Sequence, residues 1–89
     1  MLKVVHVQWE DPCFAGSGWM TQNDFESWAN AQVAVSDSVG ILAHENESFI
    51  VLLQSIGQKQ VADALKISRT AIVKITELGE VPITLENQA

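Results

Sequence analysis

The stretch that most limits what this chain can become is Val39–Leu53, two apolar runs around the polar tip His44-Glu45-Asn46-Glu47-Ser48. One helix cannot accommodate it, because a polar block followed by five apolar residues leaves no stripe at a 3.6-residue period. A β-hairpin can. Val39, Ile41, Phe49, Ile50 and Val51 suit a pleated surface, and Asn46 tolerates the left-handed backbone of a tight loop. Both runs are apolar at nearly every residue. Each strand is therefore expected to be covered on both faces, as in a small barrel or a sheet beneath a helix.

At 89 residues the chain makes one small domain, which buries only about 60–65% of its unfolded surface and gains from oligomerisation. Its 47% hydrophobic content is that of a globular protein. A single cysteine, Cys13, excludes an internal disulfide and fits a reducing cytoplasm. Neither a signal peptide nor a membrane span is expected, since the longest apolar run is Phe49–Leu53. The net charge of −6 opposes nonspecific attraction to nucleic acid or anionic membrane. Four of the five basic residues, Lys59, Lys66, Arg69 and Lys74, nevertheless share one stretch offset only by Asp63 and Glu77.

Leu2–Trp9 alternates, with Val5, Val7 and Trp9 to one side and His6 and Gln8 to the other, and reads as a first strand ending at Glu10-Asp11-Pro12. Cys13–Met20 is a loop in which glycines supply positive φ; it lacks the Gly-Lys-Ser/Thr of a phosphate loop. Thr21 is an N-cap residue followed by Asp24 and Glu26, and Phe25, Trp28 and Ala29 give a helical face. Gln22–Ala31 is thus expected to be an amphipathic helix packed on the sheet, with Trp28 in the core. Gln54–Gln60 reads as a polar loop. Residues 1–79 form the domain and 80–89 a tail, in which Val81–Leu85 fits an edge strand added to a neighbouring subunit.

Residues 60–78 admit two readings. As a helix-turn-helix, Val61, Ala62 and Leu65 would pack a first helix, and Ser68 would cap a recognition helix presenting Arg69, Thr70 and Lys74 to DNA. Against it, Lys66 stands where the turn favours glycine, and Thr70–Thr76 is dense in β-branched residues. No third helix adjoins the motif either. The strand reading is preferred, with the DNA-binding regulator as the alternative.

The order Val4-Val5-His6-Val7-Gln8-Trp9-Glu10-Asp11, Ser17-Gly18-Trp19 and Val39-Gly40-Ile41-Leu42 resembles a family of small, largely uncharacterised phage and prophage proteins. Ile50-Val51-Leu52, Ser55-Ile56-Gly57 and Ile67-Ser68-Arg69-Thr70-Ala71-Ile72 continue the likeness, which covers most of residues 3–78. In that pattern a proline usually stands where this chain has Ser68. The resemblance implies a mainly β, α+β fold: a five-stranded SH3-like or Sm-like barrel with a helix inserted after the first strand. It implies no particular activity.

The residues themselves suggest no enzyme and no cofactor. His6 and His44 show no ligand spacing, and a metal site gathered from His6, Glu10, Asp11, Cys13 or His44 is the lesser reading beside ordinary surface histidines. Cys13 has no basic neighbour to activate it. The Glu10-Asp11 pair fits a solvated turn better than acid–base catalysis. Trp9 at a strand end and Trp19 after the glycines are either barrel caps or a binding shelf. The expected ligand or partner residues are Trp9, Asp11, Trp19, Lys66 and Arg69. The expected role is a self-associating binding module that occupies a host protein or a small anionic ligand.

Overall fold

The computed structural model describes residues 1–11 and 18–85. The expectations about Pro12, Cys13, Gly16 and Ser17 lie outside these residues. Among the described residues seven strands form: β1 (Leu2–Glu10), β2 (Val35–Glu45), β3 (Phe49–Leu53), β4 (Ser55–Ile56), β5 (Val61–Ala62), β6 (Leu65–Ser68) and β7 (Ile72–Val81). One helix, α1 (Gln22–Asn30), lies between β1 and β2, and a 3₁₀ turn, Arg69–Ala71, joins β6 to β7. The fold is mainly β with one helix. Five strands make an antiparallel sheet in the order β6-β3-β2-β1-β7, and β4 pairs with β5 apart from it.

The alternation in β1 sets the two faces of the sheet. Val5, Val7 and Trp9 point inward, opposite Gly40, Ser38 and Ser36 of β2. Across β3 and β6, Ile50 faces Ile67 and Leu52 faces Leu65. Val5, Val7, Ile50, Leu52 and Ile67 form the buried core, with Trp9, Leu42, Leu65, Ala71 and Ile72 packed at its margin. No buried side chain is polar or charged among the described residues.

The sheet curls, and a short tether shows why. β6 and β7 are its two edges, about 19 Å apart across four flat strand spacings. Arg69–Ala71 alone connect them, a reach of about 14 Å fully extended and less in a 3₁₀ turn. Ser68 is fixed opposite Phe49 and Ile72 opposite Trp9, so the sheet must roll its edges toward each other. Room for that roll comes from the small inward residues of β2. A Cβ at Gly40 would stand 3.1 Å from Leu52 Cβ and 3.2 Å from the Leu53 carbonyl oxygen. The edges approach without pairing, so the sheet stays open.

Several expectations change. The hairpin forms, but β2 is not covered on both faces: Gly40 is its one buried residue, and Val39 is half exposed. Asn46 closes the tip with its side chain rather than a left-handed backbone, its Oδ1 accepting from Ser48 N at 2.8 Å and Phe49 N at 2.9 Å. Residues 60–78 are strands and one 3₁₀ turn, so no helix-turn-helix is built there. The polar Gln54–Gln60 segment contains β4 and a turn closed from Gly57 N to Gln60 O. β7 continues to Val81, opposite Leu2, so the tail begins later than residue 80.

The largest correction concerns the helix. Thr21 caps it as expected, Oγ1 accepting from Asp24 N at 3.1 Å, yet no residue of α1 is buried. Phe25 is 53% and Trp28 43% exposed, their rings meeting each other at 6.5 Å between centroids. Trp28 is not core. The radius of gyration is 17.1 Å, against about 12 Å for a compact chain of this length. No described helix is long and apolar enough to cross a membrane.

Candidate functional site

Two clusters of polar contacts anchor the expected site residues, at separate parts of the sheet. The first closes the base from which α1 extends. Asp11 N donates to the Ala34 carbonyl at 3.0 Å, and Asp11 Oδ2 accepts from Ser36 Oγ at 3.2 Å. Trp9 lies on the inner face, and its indole N–H donates to Ser38 Oγ at 3.0 Å. The serines that make room for the curl thus also accept or donate to the residues flanking the arm. Trp9 and Asp11 fix where the arm leaves the sheet.

The second cluster lies at the tip of the β2–β3 hairpin. Arg69 N donates to the Ser48 carbonyl at 2.9 Å, its Nε to the Asn46 carbonyl at 2.9 Å and its guanidinium to Glu45 Oε1 at 3.1 Å. Arg69 therefore fastens the β6–β7 turn to the hairpin tip. On the outer face, Lys66 Nζ stands 4.6 Å from the Phe49 ring centroid, and the His44 ring lies 5.8 Å from the same ring, centroid to centroid. Both cations are engaged within the chain.

Arg69→Ala removes two side-chain hydrogen bonds but leaves the backbone bond to Ser48. The loss is expected to be about 1 kcal/mol, since both bonds come from a guanidinium at a solvated hairpin tip, where an exposed ion pair contributes about 0–1 kcal/mol. Arg69→Lys keeps the charge without the planar fork and should recover less than half of it. Urea unfolding of both variants checks this.

The outer face carries one further pair. His6 Nε2 lies 2.8 Å from Asp37 Oδ1 across β1 and β2. Hydrogen bonding from His6, aided by Gln8 and then by the charge on His6, holds the Asp37 carboxyl below the usual aspartate range. A carboxyl lowered in the folded state stabilises the fold above its unfolded value, and that contribution is lost as pH falls through the lowered one. Carbon-detected NMR titration should place Asp37 below the usual aspartate range, and His6→Ala should move it part of the way back, since the Gln8 contribution remains.

The arm presents Trp19, fully exposed, then Met20, Phe25 and Trp28. Gly18 takes φ 102° just before them, the positive φ expected of this loop. The structure brings Trp9 together with Asp11, and Lys66 near Arg69, but it does not unite Trp19 with either cation. Phe25 and Trp28 are the surface aromatics that the sequence concealed as core. Their one sequence signal is the run of small and polar residues on both sides of the helix, Gly16-Ser17-Gly18 before it and Ala31–Ala34 after it. Among the described residues, no three His, Cys, Asp or Glu side chains are grouped as a metal would need. Comparison with family models, curated proteins and solved structures finds no match to this chain.

Proposed function

We propose that this chain is a non-enzymatic, phage-type binding module of the cytoplasm, an open variant of the SH3-like or Sm-like barrel that self-associates and acts by occupying a partner. The observation that carries this reading is the exposed arm with Trp19, Phe25 and Trp28, aromatic side chains of the kind that anchor interfaces. The strand order, with a 3₁₀ turn between the last two sheet strands, supports the barrel kinship. The phage-type assignment rests on the sequence resemblance alone.

Of the two partner classes, a host protein is favoured over a small anion. The Arg69 guanidinium already serves Glu45 and Asn46, and Lys66 lies over Phe49, so neither presents an unengaged cation. The exposed aromatics of the arm instead suit a protein surface. Native mass spectrometry of the protein purified from expressing cells tests the reading. It should show more than one subunit, or a retained partner that Phe25→Ala/Trp28→Ala releases. A bare monomer at every concentration, with nothing retained, would sink it.

A further inference from the structure

We propose that the wedge between the splayed ends of β1 and β2 takes the C-terminal end of an extended peptide. The peptide backbone adds to the free edge of Ala43–Glu45, and its carboxylate meets Lys3. The wedge lies at the end of these two strands opposite the arm, so this contact goes beyond the one carried by α1 and does not depend on it.

A bulge makes the wedge. β2 pairs with β1 rung by rung from Val35 to Leu42, and the last rung is Lys3 with Leu42. On its other side the register of β2 with β3 slips between Leu42 and His44, leaving Ala43 as the extra residue. An extra residue of this kind bends its strand and terminates pairing. Both strands nonetheless continue. Leu2 stays paired with Val81 of β7, and His44 and Glu45 stay paired with Val51 and Ile50 of β3. Between them opens a cleft of about 380 Å³ lined by Met1–Lys3 and Leu42–Glu45.

Three features select the occupant. Beyond the last rung neither β1 nor β2 has a ladder partner on the cleft side, and unpaired strand backbone recruits an extended chain. The Lys3–Leu42 rung closes the base, so a chain entering antiparallel to β2 must stop there, and only a chain end fits. The base is also where the cation stands. Lys3 is the only lysine or arginine before Lys59, it is exposed, and the ion pairs among the described residues do not include it. Even Glu80, its neighbour across β7, makes no ion pair with it. Glu45, the carboxylate of the cleft itself, stands at the mouth and is engaged by Arg69 at 3.1 Å. A carboxylate-bearing end is therefore matched, and an amino end is not. β2 runs three residues past the last rung, about 10 Å of extended chain, with partly buried Leu2, Leu42 and Ala43 favouring an apolar last side chain.

Amide NMR titration of the full chain tests this with three probes: N-acetylated alanyl-valyl-leucine as the free acid, the same tripeptide as its C-terminal amide, and inorganic phosphate. The free acid should saturably shift the amides of Leu2, Lys3 and Ala43–Glu45 while those of Val7 and Ile67 stay in place. The amide should bind about fivefold more weakly, the upper end of what one exposed ion pair contributes. Lys3→Met keeps the aliphatic stem and removes the charge, so the two tripeptides should then bind alike. The unchanged core resonances of that variant show that the fold is intact. No saturable shift at the wedge with either tripeptide overturns the site. Equal binding of acid and amide to the wild type, or a preference that survives Lys3→Met, overturns the recognition of the carboxylate. Phosphate acting on the same amides as strongly as the free acid overturns the peptide end in favour of a bare anion.

Discussion

Ile50→Ala is expected to lower the thermal midpoint by about 10–20 °C, from a loss of about 2–4 kcal/mol. Ile50 is fully buried, faces Ile67 across the β3–β6 ladder and packs with Val5, Val7 and Leu52. Alanine there removes three carbons from the centre of a cluster of only five buried side chains, and the hydrogen-bonded strands cannot close the gap. A domain this small is stabilised by about 5–13 kcal/mol in all, so the loss is a large fraction. Val61→Ala, which removes two carbons from an exposed side chain, should cost well under about 1 kcal/mol. Differential scanning calorimetry of the two variants provides the comparison. Equal effects would mean that the core lies elsewhere.

Gly40→Val is expected to destabilise by about 2–3 kcal/mol or more, through overpacking rather than a cavity. The first added carbon would already stand 3.1 Å from Leu52 Cβ and 3.2 Å from the Leu53 carbonyl oxygen. Backbone cannot swing aside as a flexible side chain does, so β2 and β3 would have to separate where the sheet rolls. Gln54 adds to the cost. Its Nε2, bonded to the Val39 carbonyl at 2.7 Å, lies 3.3 Å from the same point. Gly79→Val makes the control, because the same substitution in open space should stabilise by up to about 1 kcal/mol. Two glycines in one sheet thus give opposite signs for one chemical change. Guanidinium unfolding of both proteins measures it, and a neutral Gly40→Val would show that the sheet does not curl there.

The elements of this fold were legible wherever a local pattern was long enough to decide them. Val5, Val7 and Trp9 alternate with His6 and Gln8, and they take opposite faces. The apolar flanks around His44–Ser48 fix a hairpin, and the β-branched residues of Thr70–Thr76 turn the balance toward strand. Thr21 with Asp24 marks a helix start. What local pattern cannot give is the partner of a face. The spacing of Phe25 and Trp28 says that an apolar stripe exists, and both a core and an interface satisfy it. Nor does local pattern show that Ser36 and Ser38, on the inward side of β2, bond Asp11 and Trp9. β4 and β5, two residues each, are too short for any period to show.

Of the site residues, Trp9 and Asp11 were sought for binding and are found fixing the base of the arm. Arg69 was sought for its charge and is found tying the β6–β7 turn to the hairpin. Residue type could not give these contacts, because the partners lie more than twenty residues away in sequence. Trp19 alone keeps the exposed placement expected of a contact residue.

The measurement that bears most directly on the account is residue-resolved amide hydrogen exchange at two protein concentrations. The sheet amides of Val5, Val7 and Ile50 should be protected equally at both. Those of Phe25–Trp28 should exchange fast when dilute and slow as the protein is concentrated, because no residue of α1 is buried among the described residues and the proposed self-association would cover it. Arm amides as protected as the core at every dilution would mean that α1 packs on its own sheet. Arm amides that stay fast at all concentrations would mean that it has no partner in a second copy, and either result contradicts the account.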